Sequence, residues 1–463
     1  MNNMALIKSI SGIRGTIGGR PGEGLSPLDV VKFTAAYGTW LYRKKPHARL
    51  KVVTGRDARR SGGIIASLVT STLRSLGIDV TELGLATTPT VEIAVTGTES
   101  DGGIIMTASH NPAEWNALKM LNEKGEFLSA FDGEEVLRIA GKDDFIFASV
   151  TETGSLTQDD SWNSKHIEAV LALDLVDKEA IKQSEFSVAI DCVNSVGGII
   201  IPELLKALGV RNIYEINTNP DGIFAHNPEP LPQHLTQISD FVRLKKADVG
   251  FVVDPDVDRL AIICEDGSMF GEEYTLVAVS DYVLKHTPGS TVSNLSSTRA
   301  LKDVTEKYNC RYYSAPVGEV NVVEEMKLRD AVIGGEGNGG IIYPAIHYGR
   351  DALVGIALFL SHLAKCKIGC SQLRKLYPDY VIAKKKLNID PNHDFEIIKS
   401  ELKSKFKGYE IDERDGIRIE DENGWVQIRK SNTEPVIRIY AEGRTLSEAD
   451  SLADNVINFV KNI

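Results

Sequence analysis

The chain has 463 residues, 42% hydrophobic and 25% charged, which excludes a disordered or fibrous protein and suggests three or four globular domains. Its 52 basic and 64 acidic residues leave a formal charge of −12, so no broad basic face for nucleic acid is expected and an anionic ligand needs local cationic pockets. No apolar run is long enough to span a bilayer and no signal-peptide pattern opens the chain; five scattered cysteines (Cys192, Cys264, Cys310, Cys366, Cys370) suit reduced thiols, so a cytoplasmic protein without a membrane partner is expected.

In chain order, residues 50–56 predict a strand, Gly62–Leu76 a helix and Asp79–Leu83 a second strand. The apolar run Gly102–Met106 predicts a buried strand that delivers Thr107-Ala108-Ser109-His110-Asn111-Pro112, where the Asn-Pro pair stops it. After a polar stretch at Val150–Asn163 the pattern restarts, with a strand at 186–191, a helix at Gly197–Leu208 and a strand at Asn212–Ile216. The two helix ends echo each other, Leu73-Arg74-Ser75-Leu76-Gly77 and Leu205-Lys206-Ala207-Leu208-Gly209, each closing on the expected glycine stop. The apolar run Val249–Val253 then leads into Asp254-Pro255-Asp256-Val257-Asp258-Arg259.

A third copy runs from Thr291–Asn294 through a helix near Ala300–Tyr308 to Arg311–Ser314, and Ala331-Val332-Ile333-Gly334 leads into Gly335-Glu336-Gly337-Asn338-Gly339-Gly340. Each copy is a βαβ unit followed by one more apolar strand that ends in an unusual loop. Loops at the carboxyl ends of such strands are where ligands collect. Beyond a boundary near Leu376-Tyr377-Pro378, polar and apolar residues alternate in 424–429 and 436–441, which predicts a hairpin, followed by a helix at Ser447–Val460. The expected fold class is α/β: three similar α/β modules with mixed sheets plus a C-terminal α+β domain, four domains around a central active-site cleft, bounded at 1–153, 154–259, 260–372 and 373–463.

A serine at a strand end can act as a nucleophile. Carboxylates at i, i+2 and i+4 of a turn can converge on one hard cation, and without one they would repel. No glycine stands at the sixth position of the Asp254 loop, so a phosphoserine beside Mg²⁺ suits the pair of loops better than a calcium sensor. Glu336 and Asn338, two apart in a glycine-rich turn, can point the same way and bridge vicinal sugar hydroxyls.

Five segments in order, Ser11-Gly12-Ile13-Arg14-Gly15, the Ser109 loop, the Asp254 loop, Gly335–Gly340 and Arg429-Lys430-Ser431-Asn432-Thr433-Glu434-Pro435, resemble those of the α-D-phosphohexomutases over nearly the whole chain. The resemblance implies a phosphohexomutase that moves phosphate between O6 and O1 of a hexose phosphate through phosphorylated Ser109 and a bisphosphorylated sugar. It implies Mg²⁺ held by Ser109, Asp254, Asp256 and Asp258, and hexose 1,6-bisphosphate as activator. Lys119 matches the family's acid–base lysine, its pKa lowered by desolvation or by Arg14 and Arg259, with His110 as a rival base or a loop-shaping residue. Arg14 reaches the site from the N-terminal strand. Arg259, Glu336 and Asn338 meet the sugar, and Arg429, Ser431, Asn432 and Thr433 hold the phosphate that is not reacting. The C-terminal domain is expected to rotate and close over substrate, in a monomer or homodimer.

The chain departs from the family at Ala117, where glycine is usual, at Asn338 and Gly340, where many relatives have serine and histidine, and at Glu319. The glycine-rich loop is most similar to archaeal-type phosphoglucosamine mutases, with a dual-specificity phosphoglucomutase/phosphomannomutase as the alternative. A phosphatase is opposed by the second phosphate pocket. A non-catalytic sugar-phosphate binder has no use for Ser109, Lys119 and three aspartates together, and no Gly-x-Ser-x-Gly elbow supports a serine hydrolase.

Overall fold

The computed structural model describes residues 4–9, 12–46, 48–388, 394–430 and 436–462, and the chain divides into two compact units. The first comprises Met1–Thr275 with Gly339–Leu373, the second Leu276–Asn338 with Arg374–Ile463.

Among the described residues, the first unit opens with a seven-stranded sheet in the order Leu6–Ser9, Gly12–Thr16, Trp115–Leu121, Gly102–Met106, Lys51–Arg56, Asp79–Leu85 and Leu156–Gln158. Lys51–Arg56 runs parallel to both neighbours, while Trp115–Leu121 turns back antiparallel to Gly102–Met106. The strand Gly102–Met106 is buried at every position, because helices cover both faces. Phe33, Trp40, Val69, Leu73 and Val136 pack on one side, and Val91, Val95 and Trp162 on the other.

The second sheet has the order Leu260–Cys264, Val249–Val253, Ser187–Asp191, Asn212–Ile216. Its last three strands are parallel, whereas Leu260–Cys264 is antiparallel with Val253 opposite Leu260. The Asp254 loop is therefore a hairpin turn at the end of a fully buried strand. Gly77 and Gly209 end their helices at φ of 87° and 85°, a left-handed backbone that glycine adopts without a Cβ penalty.

The helix Ala352–Cys366 is buried along almost its whole length. Asp351 caps it, accepting from Leu353 N at 2.8 Å, and pairs with His166 Nε2 at 2.8 Å and His347 Nε2 at 3.2 Å. His347 Nδ1 faces Glu92 Oε2 at 3.2 Å, and His166 Nδ1 meets Thr90 Oγ1 at 2.9 Å. This cluster ties the helices Thr88–Gly97, Trp162–Leu171 and Ala352–Cys366 to one another one residue away from Arg350.

In the second unit, Tyr312–Ala315, Thr291–Asn294 and Ile333–Glu336 are parallel, and Glu336 stands at a carboxyl end. The C-terminal sheet is antiparallel, in the order Val381–Asn388, Val436–Gly443, Trp425–Lys430, Ile417–Glu420, Glu410–Asp412. The helix Leu446–Val460, held by a Thr445–Glu448 capping box, packs on it. Arg299 donates to Glu420 Oε1 at 2.6 Å and Arg418 donates to Leu295 O at 2.5 Å, joining this sheet to the third module. Rotation of the sheet by itself would strip both guanidinium groups of these acceptors, so closure either costs those bonds or carries the third module along.

Burial opposes a charge on His347, but Asp351 and Glu92 outweigh it and raise its pKa to about 10. A cation held this way contributes stability in full below the unfolded imidazole value of about 6.5 and loses it as pH rises through about 10. Thermal melts should show the wild type losing stability between pH 8 and 10.5 more steeply than His347→Gln. At pH 7 the variant should already be destabilised by about 3 kcal/mol, because its buried carboxylates lose their partner.

Candidate active site

Ser109 is almost fully buried and sits at φ 48°, in the left-handed region that costs a non-glycine residue free energy. Its N–H donates to Thr107 Oγ1 at 2.9 Å, and Thr107 in turn donates to Asp57 Oδ2 at 2.7 Å. The loop is held from behind by Arg59, whose guanidinium donates to the carbonyls of Ser109, Asn111 and Pro112 at 2.6 Å and of Trp115 at 2.9 Å. Asp57 pairs with Arg59 Nε at 3.0 Å, and the ring of Phe224 lies 4.9 Å from the guanidinium carbon. Arg14 reaches the same loop from the strand Gly12–Thr16 and donates to Asn111 Oδ1 at 2.7 Å. Ser11, which begins that motif, lies outside the described residues.

Ser109 Oγ donates to Asp254 Oδ2 at 2.8 Å, which brings the two loops into contact. Asp254, Asp256 and Asp258 are wholly buried, and one oxygen from each lies within 4.8 Å of the others. The turn closes on itself, with Asp254 Oδ1 accepting from the N–H groups of Asp258 at 3.2 Å and Arg259 at 3.1 Å. Val257 takes φ 62°, a backbone disfavoured for a β-branched residue. The turn is no EF-hand: a strand follows it, and its twelfth residue, Glu265, accepts from Ser371 N at 2.9 Å and Oγ at 2.6 Å.

Burial, then the charges of Asp258 and Asp256, push the Asp254 carboxyl well above its ordinary range. Asp256 is equally buried, yet Lys119 Nζ at 2.7 Å and Thr88 Oγ1 at 2.7 Å hold it below that range. Asp258 Oδ2 accepts from Arg350 Nη2 at 2.6 Å, and Arg259 Nε lies 3.8 Å from Asp258 Oδ1. Asp256 Oδ1 and Asp258 Oδ1 are buried with no hydrogen-bond partner among the described residues. Converging carboxylate oxygens with unused acceptor capacity match what Mg²⁺ requires, so the donor set fits the ion.

The structure changes the expectation for Lys119. Burial pulls its pKa down, but Asp256 and Asp258 outweigh burial and raise it, so the ammonium is stabilised. Among the cations Arg350 lowers it, and the two carboxylates outweigh that as well. His110 has the opposite fate. Burial, then Arg259, Arg14 and Arg350, drive its pKa down to about 2, so its neutral ring beside Ser109 Oγ (3.4 Å) is a poor base. Ala117 lies in regular strand opposite Arg14, and its methyl disturbs nothing there.

Glu336 and Asn338 lie in the second unit and do point together, with Asn338 Nδ2 3.4 Å from Glu336 Oε2. Asn294 Nδ2 donates to Glu336 Oε1 at 2.8 Å, and Gly318 N donates to the same atom at 3.2 Å. Arg429 Nε pairs with Asp415 Oδ2 at 2.8 Å. Ser431, Asn432 and Thr433 lie outside the described residues. Sequence reasoning missed Arg59, Thr88 and Arg350. The charged run Arg56-Asp57-Ala58-Arg59-Arg60 at a strand end was a usable signal for the first; Thr88 and Arg350 carry none.

Successive segments match the four domains of one family: phosphoglucomutase/phosphomannomutase α/β/α domain I at residues 6–146, domain II at 164–267, domain III at 271–380 and the C-terminal domain at 386–459. A phosphoglucomutase/phosphomannomutase of Thermococcus kodakarensis is 34% identical over 94% of this chain and 95% of its own. The chain belongs to the phosphoglucomutase/phosphomannomutase family. A phosphoglucosamine/phosphogalactosamine mutase of Sulfurisphaera tokodaii is 31% identical over 99% of both chains. The fold matches the crystal structure of a phosphoglucomutase/phosphomannomutase family protein from Burkholderia thailandensis with a TM-score of 0.83 over 99% of this chain and 98% of that one, at 24% identity. This phosphohexomutase is thus an isomerase of the phosphotransfer type, with the serine and acidic loops of its family in contact.

Adding Mg²⁺ should raise the melting temperature of the phosphohexomutase in a concentration-dependent way, reaching about 2.7 kcal/mol of stabilisation at a hundredfold excess over Kd. Asp254→Asn should melt higher than wild type without metal, since a repelling carboxylate is gone, and should lose the Mg²⁺ response. An undiminished response in that variant would remove Asp254 from the ligand set.

Proposed function

We propose that this phosphohexomutase is a phosphoglucosamine mutase, converting glucosamine 6-phosphate to glucosamine 1-phosphate by way of phosphorylated Ser109. The observation that carries the chemistry is the 2.8 Å contact of Ser109 Oγ with the buried triad at Asp254. The sugar assignment draws on the full-length relatives named for glucosamine phosphate, from Sulfurisphaera tokodaii and Pyrococcus abyssi among others. A dual phosphoglucomutase/phosphomannomutase is the second reading, favoured by the relative at 34% identity.

In this reading a sugar hydroxyl oxygen attacks the phosphorus of phosphorylated Ser109. The O–P bond to Ser109 breaks as the new one forms, and the bisphosphorylated sugar turns over and returns its other phosphoryl group to Ser109 Oγ. Asp254, Asp256 and Asp258 would hold Mg²⁺ with the serine phosphate, and the ion neutralises charge on the transferring group. Lys119, held as an ammonium, supports that charge, donates a proton to the departing Ser109 oxygen and recovers one from the attacking hydroxyl, so that the step neither gains nor loses a proton. Arg14 and the neutral His110 shape the loop. Arg259, Glu336 and Asn338 meet the sugar, and Arg429 with Ser431, Asn432 and Thr433 holds the resting phosphate, where forked and hydroxyl donors suit a dianion. The domain bounds 1–153, 154–259, 260–372 and 373–463, activation by hexose 1,6-bisphosphate, a monomeric or dimeric state and a cytoplasmic location belong to the same reading.

A substrate panel with Mg²⁺ and a catalytic amount of hexose 1,6-bisphosphate tests it. The expected result is isomerisation without phosphate release and a kcat/KM preference for glucosamine 6-phosphate above about tenfold, or about 1.4 kcal/mol at the transition state. Phosphate release without isomerisation would make the protein a phosphatase. Ser109→Ala should abolish turnover, and Lys119→Met should lower kcat by about 10²–10⁴. Titration calorimetry should find tighter Mg²⁺ binding to the Ser109-phosphorylated form, because the phosphate adds charge and acceptor oxygens; equal affinities would contradict this geometry.

A further inference from the structure

Gln427 is a buried amide in the middle of the C-terminal sheet, and its bonds run to neither of its own strand neighbours. Its Nε2 donates to the carbonyl of Asp415 at 3.1 Å, and its Oε1 accepts from Ser296 Oγ at 2.5 Å. From each end the bonds continue. Ser296 N donates to Asn294 Oδ1 at 3.0 Å, and Asn294 Nδ2 donates to Glu336 Oε1 at 2.8 Å. On the other side Asp415 Oδ2 accepts from Val317 N at 3.0 Å, while Gly318 N, one residue on, donates to the same Glu336 oxygen at 3.2 Å. The circuit therefore closes on itself. It includes Glu336 directly and carries Arg429 as a branch, through the 2.8 Å ion pair with Asp415.

We infer that Gln427 and Asp415 are positioning residues that fix the span between the hydroxyl-reading carboxylate of Glu336 and the phosphate-reading guanidinium of Arg429. The inference rests on the proposed roles of those two residues and adds a cause for selectivity. Arg429 faces Asp415 with Nε, the inner nitrogen of its fork, and no hydrogen bond to its two terminal nitrogens is found among the described residues. The three buried side chains Gln427, Asn294 and Glu336 have little freedom to yield, because each shift leaves a polar atom unsatisfied. A ligand that bridges both groups gains from their fixed separation, since its second contact forms at no further cost in freedom. Inorganic phosphate touches only one of them and gains nothing from the ring.

Full-length Gln427→Met keeps the volume and removes both of its bonds, and Ser296→Ala removes only the bond to Gln427 Oε1, which opens the ring at that one point. Two quantities are measured: KM for the hexose phosphate preferred in the substrate panel, and the competitive inhibition constant of inorganic phosphate. Both variants should raise KM by about tenfold, with the phosphate constant changing less than about twofold. Equal changes in the two constants, or no change in either, would overturn the inference. Should the Met variant fail to fold by thermal melt, the alanine variant decides the matter by the same criterion. Arg429→Gln separates the two levels of the argument. An unchanged phosphate constant there defeats the phosphate-binding role of Arg429 and this inference with it. A raised constant, with ring variants that leave the ratio of the two constants as in wild type, defeats the inference alone.

Discussion

Three carboxylates sharing a volume less than 5 Å across, wholly out of water, are the constraint on which this site is built. Like charges that close cannot all ionise without compensation. The surroundings provide it from several directions: Lys119 on Asp256, Arg350 on Asp258, Arg259 beside it, and backbone N–H groups on Asp254. The compensation is incomplete, as the raised Asp254 carboxyl and the unpartnered oxygens of Asp256 and Asp258 show. A hard cation would offset such an arrangement, and Ser109 Oγ stands against it, donating to Asp254.

That electrostatic demand explains features that otherwise look costly. Ser109 and Val257 both hold left-handed backbone, conformations that persist where surrounding bonds over-determine them. At Ser109 those bonds come from Thr107, from Arg14 and, for most of the carbonyls, from Arg59. Arg59 satisfies three carbonyls of the Ser109 loop and a fourth at the first residue of the strand Trp115–Leu121, and so holds the Ser109 backbone without touching its hydroxyl. At Val257 they come from Asp254 itself and from helix Ala352–Cys366, whose first residue donates to the Val257 carbonyl at 3.2 Å. Under the proposed roles, the chemical groups and most of the recognition groups are divided along the chain. The serine, lysine and aspartates lie in the first unit, and Glu336, Asn338 and Arg429 lie in the second.

Most of the architecture was legible because periodicity and turn chemistry are local. The three βαβ repeats fall within a residue or two of their expected limits, and the glycines at 77 and 209 end helices as expected. The strands Leu6–Ser9, Trp115–Leu121, Val381–Asn388 and Ile417–Glu420 went unread, and Gly12–Thr16 was expected only through the family resemblance. Pairing across long separations makes them strands, and segments such as Gly12-Ile13-Arg14-Gly15-Thr16 carry too little apolar alternation to announce it. Within the site, Ser109 and the aspartates stand out from spacing alone, whereas Thr88, Arg350 and Gln427 look like any polar residue of a helix start, a turn and a strand.

By itself, then, the sequence determined the α/β class and the repeated module and singled out the serine and acidic loops as candidates, since each depends on residues close together in the chain. Tertiary structure decided the charge states. The resemblance suggests a lysine whose pKa is lowered by burial and cationic neighbours, but Asp256 and Asp258, more than 130 residues away, raise it and favour the ammonium. His110 adjoins Ser109 in sequence, yet burial and then three arginines from distant segments lower its pKa and favour the neutral ring. A pKa depends on burial and on every charge within a few ångströms, and no spacing rule specifies which distant residues the fold will bring that near.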